Sequence, residues 1–82
     1  MGSAERDKLN KMKKQFSCNL VYLMMRDSVT SNRICDKFSI SPQTLSSWRR
    51  GKGLPSITRL PDISNYFNVT IEEMLVPMQI SP

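Results

Sequence analysis

At 82 residues the chain has room for one small domain, whose modest burial would leave part of its stability to a partner subunit. An apolar fraction of 39% argues against global disorder, no apolar run approaches the ~18 residues of a membrane span, and no charged stretch leads into an apolar one as a secretory signal would. Net charge is +5, divided as +3 over residues 1–30, +5 over 31–60 and −3 over 61–82, which suits a polyanion partner and equally fits a solvated basic face.

Met1-Gly2-Ser3 reads as an expression remnant, with Met12 as a candidate native start. Residues 1–11, polar and mixed in charge, are expected to be a flexible segment. From Met12 to Asp27, the spacing of Met12, Phe16, Leu20, Leu23 and Met24 predicts an amphipathic first helix, broken at Ser28-Val29. Lys8, Lys11, Lys13 and Lys14 are either solvated or an arm that follows a nucleic-acid backbone. Thr30 is the expected cap of a second helix, 31–38, with Ile34, Cys35 and Phe38 on one face, and Ser39-Ile40 form a tight turn. Cys18 and Cys35 both fall in apolar-periodic segments and are expected to be reduced core thiols; with no histidine in the chain, neither a four-ligand zinc site nor a Cys–His pair can be assembled.

"SPQTLSSWRRGKGLPS", residues 41–56, is the most informative stretch. Ser41 offers a capping hydroxyl and Pro42 a preset φ at the first helical position, so Ser-Pro reads as a helix start. Leu45 and Trp48 share one face, Trp48 being assigned to the core, and the helix stops near Arg50 at Gly51. Ser56 is a candidate cap for a fourth helix bearing Ile57, Leu60, Ile63 and Phe67; Pro61 requires either a kink or a start near Leu60–Pro61. Thr70-Ile71-Glu72-Glu73 is a capping box opening a short fifth helix that ends near Leu75. Residues 12–76 thus make the domain, and 77–82 a tail or the start of a linker. Ile71, Met74, Leu75, Val76, Met78 and Ile80 either supply an apolar dimer surface or, in the case of Ile71 and Leu75, close the core.

From Leu20 to Leu75 the chain resembles, in one gapless register, the phage repressor/Cro-type helix-turn-helix, also called the xenobiotic-response-element family. The match is carried by Leu20, Leu23, Ile34-Cys35, Ile40-Ser41, Thr44-Leu45-Ser46, Trp48, Gly51, Pro55-Ser56, Leu60, Ile63, Phe67-Asn68-Val69-Thr70 and Leu75. It departs from the family at Cys35 (usually Ala), Ser39 (usually Gly), Arg49 (frequently Glu) and Pro42 (often a base-reading Gln). The resemblance implies an all-α, five-helix lambda-repressor-like DNA-binding domain with its helix-turn-helix at helices 2 and 3.

It also implies a role: a sequence-specific regulator of transcription, a repressor by expectation, cytoplasmic and bacterial or phage-encoded, with no cofactor and no enzymatic activity. The third helix would enter the major groove of an operator, bound as a homodimer with half-sites ~34 Å apart. Gln43 is then the leading base reader, since an amide pairs bidentately with adenine, followed by Thr44, Ser47 and Ser46. Arg50, Lys52 and Arg49 would take phosphates, with Ser31 at a helix N-terminus. The competing expectation is a protein-interaction adaptor, such as the antitoxin side of a toxin–antitoxin pair, with DNA binding secondary.

Overall fold

The computed structural model describes residues 3–76, and their side chains from residue 6 onward. The order is α1 (Ser3–Arg26), α2 (Ser31–Phe38), α3 (Pro42–Arg49), α4 (Arg59–Tyr66) and α5 (Ile71–Leu75), with no strand among the described residues. The fold is the all-helical, five-helix arrangement expected. The long α1 is the spine: α3 and α5 pack on it, α2 on α3, and α4 on α5. Phe16, Leu20 and Leu23 of α1 meet Ile34, Leu45, Ile63, Phe67 and Met74 in one core, all at most 1% exposed. Trp48 closes that core from α3, its ring edge-on to Phe16 at a centroid distance of 6.2 Å.

Several local expectations are corrected. α1 begins at Ser3 rather than Met12, so residues 3–11 are helical, and those from Arg6 to Lys11 are exposed along their whole length. Cys18 is exposed because it lies on the face of α1 opposite Leu20, while Cys35 is half-buried against the core. Ile57 is 87% exposed and takes no part in the α4 seam. It precedes the helix: α4 starts at Arg59, whose N–H reaches the Ser56 hydroxyl at 3.3 Å. Of the two expectations for Pro61 the late helix start is the one observed: Pro61 falls in the first turn, where its missing N–H has no intrahelical acceptor to lose, and no kink is needed. At the C-terminal end Met74 is fully buried and belongs to the core, not to an outer surface. Ile71 and Val76 remain exposed and Leu75 packs partly on the core, while Met78 and Ile80 lie outside the described residues.

Four helices close alike. Ser28, Ser39, Gly51 and Asn68 adopt left-handed φ of 54°, 53°, 73° and 61°. The next N–H then reaches back five residues: Val29 to Met24 at 2.8 Å, Ile40 to Cys35 at 3.1 Å, Lys52 to Ser47 at 2.9 Å and Val69 to Ser64 at 2.9 Å. This is the Schellman closure, and Val29, Ile40 and Val69 add its usual apolar contact. At α5 the closure is different. Buried Asn19 donates to the carbonyls of Glu73 (3.1 Å), Met74 (2.8 Å) and Val76 (2.8 Å), with its own Oδ1 held by Gln15 at 3.1 Å.

Candidate nucleic-acid interface

The α2–turn–α3 unit is fixed by short-range chemistry. Thr30 Oγ1 accepts the Arg33 N–H at 3.2 Å to start α2, and Ser41 Oγ accepts the Thr44 N–H at 3.1 Å to start α3 behind Pro42. Between them Ser39 takes the left-handed conformation that relatives usually give to Gly, as its place in the turn predicts. Leu45 and Trp48 point inward. The opposite row is then set by helical geometry: Gln43, Ser46, Ser47 and Arg50 recur at the i, i+3, i+4, i+7 positions of one face.

The expected base-contact residues are placed unequally. Gln43 and Ser46 are exposed on this outward row. Ser47 lies on the same row but is half-buried, because the return loop crosses it: a Cβ at Gly53 would sit only 3.1 Å from Ser47 Oγ. Thr44 is turned off the row, half-buried, with its hydroxyl 2.9 Å from that of Ser41. Its oxygen is thus engaged in the helix start.

The basic residues divide into two flanks. On one, the Arg49 guanidinium donates to Ser31 Oγ at 3.0 Å, joining the last turn of α3 to the first turn of α2. The Arg49 carbonyl meanwhile accepts the Ser17 hydroxyl of α1. A surface notch opens here, lined by Ser31, Asn32, Ser46, Arg49 and Arg50 over an apolar floor, with no acidic side chain on its walls. On the other flank Lys52 is exposed beyond Gly51, which packs against α1 at Lys13–Lys14, while Arg50 lies between the flanks, at the end of the outward row and the rim of the notch. The notch combines guanidinium donors, a hydroxyl and the N-terminal N–H groups of α2, a set suited to an oxyanion.

Arg59, counted in the basic middle of the chain, has a different task. Its Nη1 donates at 2.5 Å to the carbonyl of Phe38, the last residue of α2, and so braces the turn from α4. Neither this brace nor the Ser17–Arg49 bond has a signal in the sequence, since each joins residues with no shared local pattern.

Comparisons with known proteins agree on this unit. A family model described as Helix-turn-helix matches residues 29–74. The chain is similar to the HTH-type transcriptional activator BcrR of Enterococcus faecalis, 33% identical over 61 residues that make up 74% of this chain and 30% of that protein. The chain therefore spans less than a third of that relative's length. Among solved structures it is similar to the solution structure of the SOS-response transcriptional repressor LexA from Eubacterium rectale, with a TM-score of 0.77, 25% identity, 88% of this chain covered and 77% of that one.

Proposed function

The chain belongs to the helix-turn-helix family of the Cro/C1 type, and from that premise we propose that it is a DNA-binding transcription regulator whose α3 reads the major groove of an operator. The observation that carries the reading is the outward row of α3. Its four residues, Gln43, Ser46, Ser47 and Arg50, are polar or basic, opposite the buried Leu45 and Trp48, and cations flank the row on both sides. Short side chains behind Gln43 let the helix lie deep in a groove, while Gln43 offers the amide that pairs with adenine. Phosphates on one side are taken by Arg49 with Ser31 and on the other by Lys52, with Arg50 at the end of the row between them. Thr44 contributes its methyl rather than its engaged hydroxyl.

An eight-residue helix is about 12 Å long and covers only a few base pairs, too few to mark a site among ~10⁶ competitors. Two copies on a two-fold operator, with half-sites ~34 Å apart, supply the rest. Repression then follows from occupancy of a promoter.

The test is selection from a pool of random duplex DNA at two salt concentrations. An enriched pseudo-palindrome supports the reading; retention that only weakens with salt, with no enrichment, counts against it and favours the protein-interaction alternative. On the selected site, Gln43→Ala should cost ~1–3 kcal/mol and relax preference at one base pair, whereas Lys52→Ala should weaken binding to all sequences and lower the salt slope by about one. Transcription in vitro from a promoter overlapping the site separates repression from activation.

A further inference from the structure

The half of α1 that precedes the body of the domain has an orientation that its lysine content alone does not reveal. Where Gly51 meets α1, a Cβ on the glycine would lie 3.6 Å from Lys14 Cα and 3.9 Å from the Lys13 carbonyl oxygen, and one turn on Ser17 binds the Arg49 carbonyl. The stripe of α1 turned toward the Arg50–Lys52 loop is thereby identified. Continued toward the N-terminus at helical steps, it passes through Lys14 and Lys13, then Asn10, then Arg6 with Asp7 at its edge. Lys8 is only two residues from Arg6 but about 160° away around the helix, on the far side. From Lys13 back to Ser3 the helix extends about 15 Å, the length over which one strand rises by about four phosphates along the duplex axis at ~3.4 Å each. Asp7 is the one acidic side chain described between Arg6 and Ser17, and no α1 cation from Arg6 to Lys14 is ion-paired among the described residues.

We infer that this N-terminal overhang of α1 is a second DNA-contacting surface, in which Arg6 and Lys13 extend the phosphate track of Arg50 and Lys52 beyond the segment covered by the helix-turn-helix. The inference rests on the DNA reading above. It identifies the partner as duplex flanking the half-site and assigns opposite roles to neighbouring cations of one helix: Arg6 faces phosphate and Lys8 faces solvent. Neither is part of the packed core, so the fold is the same in both variants.

The experiment measures the salt dependence of binding to a 40-base-pair random-sequence duplex for the whole chain and for Arg6→Gln, Lys8→Gln and Lys52→Ala. Removing one cation that neutralises a phosphate lowers the slope of log K against log salt by ~0.9. Arg6→Gln should lower it by about that amount and weaken binding severalfold at low salt, with Lys8→Gln unchanged. Equal effects of Arg6→Gln and Lys8→Gln, or no effect of Arg6→Gln while Lys52→Ala lowers the slope, overturn the overhang contact and leave the helix-turn-helix interface standing. No salt-dependent binding by the unaltered chain, or a slope that even Lys52→Ala does not move, overturns both.

Discussion

At their N-terminal ends α2, α3 and α5 are capped from within three residues, by the hydroxyls of Thr30, Ser41 and Thr70, while before α4 the Ser56 hydroxyl of the preceding turn accepts the Arg59 N–H and the N-cap Thr58 makes no side-chain cap bond. At their C-terminal ends the side-chain donors come from other elements: Arg59 to Phe38 at the end of α2, Ser17 to Arg49 for α3, Arg26 to Phe67 for α4, and Asn19 to three carbonyls around the end of α5. Helices of eight residues or fewer are too short to persist alone in water. Local caps at their starts set where each helix begins, whereas the ties at their ends, added to the shared core, bind it to a neighbour. In this domain the starts specify secondary structure and the ends specify the tertiary arrangement, including the placing of α3.

The difference is open to measurement. Asn19 is 3% exposed and shares its two amide protons among three backbone acceptors, so Asn19→Ala leaves carbonyls at the end of α5 unpaired and should lower unfolding free energy by roughly 3 kcal/mol. Thr70→Ala removes half of a capping box at the other end of the same helix and should cost about 1 kcal/mol. Urea midpoints of the two variants decide the matter. A larger loss at Thr70 than at Asn19 would reverse the ranking of starts and ends.

A smaller change should act in the opposite direction. Ser39 holds a left-handed conformation on an exposed surface with no side-chain bond that requires serine, so Ser39→Gly relieves the Cβ strain. After the extra freedom of an unfolded glycine is subtracted, the gain should be roughly 0.5 kcal/mol, visible as a higher melting temperature. A lower one would mean that the turn is not strained.

The same division explains what is legible in the chain. The starts at Thr30, Ser41 and Thr70, the stop at Gly51 and the inward pair Leu45–Trp48 are carried by neighbouring residues, so sequence spacing finds them. The outward row of α3 is legible for the same reason. What spacing does not carry is contact across the fold. The Thr44 hydroxyl turns to Ser41, Gly53 covers Ser47, and Arg59 braces the turn instead of facing solvent. Composition misleads at residues 3–11, where a polar segment reads as flexible, although most of its residues are helix-compatible and continue α1. Periodicity misleads at Ile57 and at Met74: the first looks like part of a helix it only precedes, the second like surface because its burial depends on α1.

The smallest effect belongs to a helix end whose donor is charged. Arg26 forks onto Asp27 at 2.8 and 3.1 Å and reaches the Phe67 carbonyl with the same Nη2 at 2.9 Å. The hydrogen bond from Arg26 is the main cause that holds the Asp27 carboxyl below the usual carboxylate range, partial desolvation opposing it. A carboxyl with a depressed folded pKa contributes stability that is complete above its unfolded value, ~3.9, and is lost as pH falls through the folded one. Because the pair is solvent-exposed, the contribution is small, and protonating Asp27 leaves Arg26 free to keep its bond to Phe67. The stability gap between the unaltered chain and Asp27→Asn should therefore be slight at pH 7 and close below pH 4. Arg26→Ala, which also removes the tie to α4, should open a gap that persists at pH 3. If the two gaps instead closed together, the ion pair and not the carbonyl tie would be what holds the end of α4.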